Sequence, residues 1–456
     1  MFLQLLHAHA DRAGCDVKLT GGGGERATFE HGAQCGERFE LHQKSLTDPS
    51  NHFVISNGRR SLNWAHRFPQ ENAAMNAPTS TTSDKPRAWT AAQAHADHSW
   101  IKRLDDAHRD ALNAALLHAR NVDKPFLEWE QSDFPLDART VAFLRGATDT
   151  TQGQWGMCLV KGFPVNAWSE EDTRIVYWGL GLYLGVARPQ NKASDVMTDV
   201  RDAGGQYKVK GGRGYNTNAE LDFHMDSCDV VSLLCRRTAK SGGGSKVVSS
   251  IALRDEVAHV APHLLDVLYQ PFFHSYQGQQ DPSQPPYYPL AIFGNHPEYF
   301  SARANRKNTV AAQRDFPEVP RLSEAQQEAL DLLERLLASE KLCFEMTLEP
   351  GDMQLLNSYV TLHSRTGFED FEEPDRKRHL LRFWLAVPNS QPLPDDWAEY
   401  YVDVRSGSVR GGVRGSGITE AFVRYEERHA KTLGMRFKPW APLVLRDEVA
   451  SNTASS

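Results

Sequence analysis

The stretch LDFHMDSCDVVSLL, residues 221–234, places His224 and Asp226 two positions apart at the front of a run of β-forming residues. On a strand such a pair points to one face and can reach a single cation, whereas on a helix the same spacing turns the two side chains about 200° apart. H-x-D occurs three more times, as His9/Asp11, His95/Asp97 and His108/Asp110. His108/Asp110 falls in a helical pattern, and the other two lie in or beside a region without periodicity and with no strand after them. A third ligand is offered by PGDMQLLNSYVTLHSRTGFED, residues 350–370, where a strand is predicted to run into a loop carrying His363. Two histidines and one carboxylate on one side of Fe(II) leave three coordination positions for a chelating cosubstrate and O₂. Taken alone, His363 reads as a surface histidine after a strand.

RKRHLLRFWLAV, residues 376–387, adds an anion site. As a strand it turns Arg378 and Arg382 to one face with Leu380 and Trp384, and Leu381, Phe383 and Leu385 to the other. Guanidiniums on so apolar a face fit a buried carboxylate, which arginine grips with two parallel hydrogen bonds. The alternative is an ion pair from either arginine to Glu372 or Asp375. Glu220 and Asp222 share a face with His224 and read as a solvated strand edge before a contact to a cationic substrate group. Cys228 shares that face only if the strand has no bulge, and reads as a free buried thiol.

The elements that must hold these residues follow from periodicity. Apolar positions at Leu104, Leu112 and Leu116 mark a helix ended near Asn121, Ser169 caps a second, and Ser323 with Gln326 forms a capping box for a third. Strands are predicted at 155–160, 229–234, 245–250, from 344, at 353–357 and at 379–387, separated by turns such as SGGG and EPGD. Short strands crowded after residue 220, with helices mainly before them, give an α+β or mainly β class: an antiparallel barrel or jelly roll buttressed by helices. Residues 1–95 read as a disordered or weakly ordered extension, with Met75 an alternative start, 96–400 as the catalytic domain, and 401–456 as an extension of flexible loop and helix. The polar, Gly-rich segment 187–217 is a candidate lid, and Tyr215, Asn216 and Asn218 at its end are candidate substrate contacts.

The chain has 456 residues, 51 basic and 58 acidic side chains and a net charge of −7, which offers no footprint for a nucleic acid or an anionic membrane. A small molecule is the expected partner, and a homo-oligomer is compatible. Six scattered cysteines form no C-x-x-C, and no apolar run approaches the roughly 20 residues of a membrane span. The opening MFLQLL lacks a basic flank, so a cytoplasmic location is expected.

In order and spacing, HMD at 224–226, SGGGS at 241–245, the PGD segment around His363 and RKRHLLRFWL resemble the TauD/TfdA family of Fe(II)- and 2-oxoglutarate-dependent dioxygenases over roughly residues 140–395. The resemblance implies a double-stranded β-helix (jelly roll) core, iron held by His224, Asp226 and His363, and release of succinate and CO₂ as a C–H bond is hydroxylated. It further implies that Arg378 holds the distal carboxylate of 2-oxoglutarate, helped by the hydroxyl of Ser245 where the family usually has threonine. Arg382 matches an arginine near the substrate or the cosubstrate carboxylate. The 14 residues between His363 and Arg378 make a somewhat longer loop than in the family's taurine enzyme. A zinc hydrolase using the same ligands would leave both arginines without purpose, and a non-catalytic anion- or partner-binding module would not need all three ligands. An amino acid, betaine, sulfonate, aryloxy acid or natural-product intermediate would each fit as substrate.

Overall fold

Strand His379–Ala386 is buried along its whole length, and its alternation divides the protein's interior. Leu381, Phe383 and Leu385 enter one apolar cluster with Cys158, Val160, Val230, Leu234, Met353 and Leu355. Leu380 and Trp384 enter another with Met157, Leu159, Val231 and Leu356. Strands covered on both faces need apolar residues at nearly every position, which is why these segments are continuous apolar runs. The computed structural model describes residues 85–440 and, as a separate unit, the backbone of five short strands, Asp16–Lys18, Thr28–Glu30, Arg38–Gln43, Phe53–Ser56 and Ser61–Trp64, paired antiparallel in chain order.

The main sheet runs in the order Ile101–Arg103, Met157–Lys161, Met353–Asn357, Val230–Arg237, His379–Ala386, Val186–Ala187, with Met197–Val200 also paired to His379–Ala386. All neighbours are antiparallel except the first two strands. A smaller sheet, Phe344–Met346, Ser245–Ser249, Thr361–Arg365, faces it and contributes Val247 and Phe344 to the cluster of Leu380 and Trp384. Helices close the two outer faces. Asp106–Ala119, Ala138–Gln152, Glu170–Leu184 and Glu420–Thr432 cover the main sheet, while Ser250–Val260, Pro262–Leu268 and Glu324–Leu337 cover Val248 and Leu362 of the smaller one. This is a jelly-roll core buttressed by helices, as expected. The capping box at Ser323 forms, and the cap at Ser169 is closed into a second box by Asp172, each satisfying backbone donors that the first helical turn leaves open.

Four local expectations are corrected. Residues 85–95 are not weakly ordered: Trp89 is buried, donates its indole N–H to the Trp155 carbonyl at 2.8 Å, and precedes a helix capped by Thr90. The rest of the expectation for 1–95, including Met75 and His9/Asp11, falls outside the described residues apart from the five strands. Segment 405–417 is not a flexible loop, because Ser408 and Arg410 are fully buried and Arg410 is paired with Asp229 at 2.7 Å. Its Gly411 and Gly412 take positive φ and bring the backbone against Ser227 and Pro189, where a Cβ would clash. His224 and Asp226 precede their strand, which starts at Val230, and His363 lies within a strand and not in a loop. No described helix is long and apolar enough to cross a membrane.

Candidate active site

His363 is the central residue of Thr361–Arg365, opposite Val247 on one side. Its other side takes up His224 through a one-residue bridge, His224 N–H to His363 O at 2.9 Å and His363 N–H to His224 O at 3.0 Å. That pairing sets the two imidazoles 4.3 Å apart between centroids. Asp226, two residues on, turns to the same place: its Oδ1 lies 3.8 Å from His224 Nε2 and its Oδ2 3.7 Å from His363 Nε2. One ligand atom from each residue fits within 4.8 Å of the others, and Asp226 Oδ2 is buried without a hydrogen-bond partner. His224 Nδ1 is 2.9 Å from the Asp222 carbonyl, which fixes the ring and, in the tautomer this contact favours, leaves the Nε2 lone pair facing the carboxylate.

The charges agree with a cation between these groups. Burial disfavours ionisation of Asp226, but the Arg382 guanidinium, joined by the two histidines in the acid range where they carry a proton, outweighs it and holds the carboxyl at about 2. Burial and the neighbouring His224 bring His363 down to about 3, and burial lowers His224, so both rings are neutral with free lone pairs. A second cluster, Glu170, Asp199 and His379, also brings one ligand atom from each residue within 4.8 Å of the others. There Arg174 and His379 already bond Asp199 at 2.5 and 2.7 Å, and Arg236 lies 3.2 Å from Glu170. Its negative charge is answered by protein cations, and it has no need of an ion.

Arg378 and Arg382 emerge on one face with Leu380 and Trp384, and all four line a cavity of about 170 Å³ that also contains His224, Asp226 and His363. Neither arginine reaches Glu372 or Asp375. Arg378 lies 5.0 Å from the Phe368 ring, and its Nη1 is buried without a partner. Arg382 donates from Nε to Gln190 Oε1 at 2.7 Å, places Nη1 3.8 Å from Asp226 Oδ2, and keeps Nη2 unpartnered. Ser245 lies on the same wall, its hydroxyl donating to Gln354 Oε1 at 3.0 Å.

The sequence reading missed Arg365. Two positions beyond His363, it faces the same cavity, stacks 4.7 Å from Phe368 on the ring shared with Arg378, and leaves Nε and Nη1 buried and open. Its Nη2 is held by the carbonyls of Thr217, at 2.9 Å, and Ala219. The signal was present in H-S-R: on a strand, residues two apart share a face.

Of the candidate substrate contacts, Tyr215 lines the cavity, with Arg213 5.6 Å and Arg382 5.7 Å from its ring. Asn216 and Asn218 do not line it; their backbone carbonyls accept from Ala203 and Gly205 and from Phe368, so they shape the loop. Segment 187–217 contributes a strand, Met197–Val200, and then a cavity wall with Tyr207 and Arg213. Glu220 and Asp222 pair with Lys246 and Lys208 at 2.8 and 3.0 Å, away from the cavity. Cys228 turns toward Ser358, 3.5 Å away, because the chain bends before the strand.

The profile described as "Taurine catabolism dioxygenase TauD, TfdA family" matches residues 123–384, which include every one of these groups. The chain belongs to the TauD/TfdA family. FR-33289 synthase of Streptomyces rubellomurinus is 32% identical to it over 314 residues, 67% of this chain and 91% of that protein. Taurine hydroxylase-like protein SAT17 of Stachybotrys chartarum is 26% identical over 306 residues, 65% and 77% of the two chains. Among solved structures, asparagine oxygenase with Fe(II), hydroxyasparagine and succinate matches with 17% identity and a TM-score of 0.46, over 63% of this chain and 93% of that one. This TauD/TfdA protein is an Fe(II)- and 2-oxoglutarate-dependent dioxygenase that uses O₂ to hydroxylate a small organic substrate.

Proposed function

We propose that His224, Asp226 and His363 hold the ferrous ion and that Arg378, Arg365 and Ser245 hold the distal carboxylate of 2-oxoglutarate. The observation that carries this reading is the set of buried polar atoms left open toward one cavity: Asp226 Oδ2, Arg378 Nη1, and Arg365 Nε and Nη1. Buried polar groups without partners are costly, so a cluster of them around one space argues for a ligand that completes it. Bound Fe(II) with 2-oxoglutarate supplies the O₂-dependent oxidation of the C–H bond, with loss of succinate and CO₂.

The chain's own contribution is positional. His224 and His363 are tied by two backbone hydrogen bonds, so their ring nitrogens keep a fixed separation as cosubstrate and product exchange. Arg382 faces the carboxylate of Asp226 and packs 5.2 Å from Trp384, which keeps that carboxylate ionised and its orientation fixed. Phe368 supports both carboxylate-binding guanidiniums from one side and keeps water from that side. The catalytic unit in this reading comprises residues 85–440, since Trp89 and Arg410 are both part of its interior. A reducing, cytoplasmic location suits the four unpaired cysteines among the described residues, three of them buried.

Anaerobic addition of Fe(II) and 2-oxoglutarate tests the assignment. A visible charge-transfer band is expected from wild type and from Arg213→Gln, and none from Asp226→Ala. A band of wild-type strength in Asp226→Ala would refute the ligand set.

A further inference from the structure

Six cations line the cavity, Arg213, Arg303, Lys307, Arg365, Arg378 and Arg382, and its one carboxylate is Asp226. The excess is five positive charges. A ferrous ion adds two and 2-oxoglutarate removes two, so the same excess remains when both are bound. Like charges held close together in a cleft poor in water repel strongly, and the same field concentrates anions there.

Most of the six have duties already. Arg365 and Arg378 share Phe368 on the cosubstrate wall. Arg382 faces Asp226. Arg303 donates to the Met225 carbonyl and stands 3.5 Å from the Tyr400 hydroxyl. Arg213 and Lys307 are left. They come from separate elements, the segment after Val200 and helix Arg306–Asp315, and neither has an ion-pair partner among the described residues. Arg213 is fixed by one hydrogen bond, Nη2 to the Gln190 carbonyl at 2.9 Å, and lies against Tyr215. Lys307 donates to the Gly212 carbonyl and sits 4.6 Å from the Tyr207 ring.

We propose that Arg213 and Lys307 form an anion subsite, separate from the cosubstrate wall, that receives a doubly charged oxyanion group of the substrate, of the phosphonate or phosphate-ester class. Two adjacent cations match two negative charges on one group, which a carboxylate does not carry and which a phosphonate attains by giving up its second proton to solvent as it settles between them. An arginine fork and a lysine point charge approach a tetrahedral oxyanion from different sides without competing for the same oxygen. Burial together with the charge of Arg213 pulls Lys307 down to about 8 against the opposing field of Asp222, and burial together with Arg382 lowers Arg213 against that of Asp226, so in both cases the nearby acidic groups do not offset burial and like charge, and an incoming anion would. With the anionic end held there, the rest of a small substrate extends past Tyr215 toward Asp226.

The subsite rests on the cosubstrate assignment above, and one experiment separates the two. Propylphosphonate, propane-1-sulfonate, butyrate and uncharged butyramide, of similar length, are titrated calorimetrically into wild-type protein, both metal-free and with Fe(II) and 2-oxoglutarate under nitrogen. The expected order is propylphosphonate tightest, the two monoanions weaker, and butyramide without measurable heat. Arg213→Gln and Lys307→Gln should each weaken propylphosphonate at least about tenfold, the loss of one charge-assisted contact, while the charge-transfer band forms at the wild-type 2-oxoglutarate concentration. Butyramide or butyrate binding wild type as tightly as propylphosphonate would overturn the subsite without need of a variant. So would unchanged propylphosphonate affinity in both variants. Absence of the band from wild type refutes instead the iron and cosubstrate assignment.

Discussion

Two buried arginines show opposite uses of the same side chain. Arg410 donates from Nε to Asp229 at 2.7 Å, from Nη1 to the Val404 and Arg405 carbonyls at 3.1 and 3.2 Å, and from Nη2 to the Gln391 carbonyl at 2.6 Å. Asp229 in turn accepts from the Tyr359 hydroxyl at 2.9 Å and the Val387 amide at 3.0 Å. Around that pair each charge meets its opposite inside the protein. Arg378 is nearly as buried, yet its Nη1 has no partner, and the open donors of Arg365 lie in the same cavity. A buried guanidinium that is fully bonded holds the fold together, whereas one left open holds a place for something else.

The largest expected effect lies at the histidines, outside both arginines, and sets the baseline. His363→Ala should remove succinate release altogether, a loss well beyond the roughly 100-fold seen when a residue behind a metal ligand is removed. Retained turnover would take His363 out of the site. Next comes the closed pair: Asp229→Asn leaves Arg410 buried without its counter-charge and should cost about 3–5 kcal/mol in urea unfolding. If that variant unfolds at the wild-type midpoint, the bonded arginine is not structural and the contrast fails. Arg378→Met should do the reverse, leaving unfolding unchanged while weakening 2-oxoglutarate by about 1.5–3 kcal/mol, about ten- to 150-fold in Kd. Smallest is Ser245→Ala, about 0.5–1.5 kcal/mol in the same titration, because the hydroxyl must give up its bond to Gln354 Oε1 before it can donate to the carboxylate and only the difference is lost.

The strand faces were legible because period-two alternation is local. Residues 380–385 divide between two cores as their spacing predicts, and the caps at Ser169 and Ser323 are equally local signals. His224 and Asp226 converge as expected although they precede the strand, since an extended bridge to His363 gives the same parity as a ladder. Arg365 went unread because His363 was placed in a loop, where the two-residue rule has no force. Arg213 and Lys307 could not be read at all: they are 94 positions apart, and nothing in either segment records that Gly212 brings them together. Segment 405–417 was misread for a related reason. Its glycines and serines have the composition of a mobile loop, but its arginine answers a carboxylate 181 positions earlier.

That separation bears on how the protein is made. Asp229 stands three residues from Asp226, at the foot of the strand on which the main sheet is centred, and its counter-ion is among the last residues of the described chain to be synthesised. Without residue 410 the Asp229 carboxylate would keep its hydrogen bonds from the Tyr359 hydroxyl and the Val387 amide but would lack a counter-charge in the interior. The segment that carries Arg410 therefore supplies a counter-charge beside the iron cradle, and a chain cut short before it would keep the three ligands while leaving Asp229 without its cation.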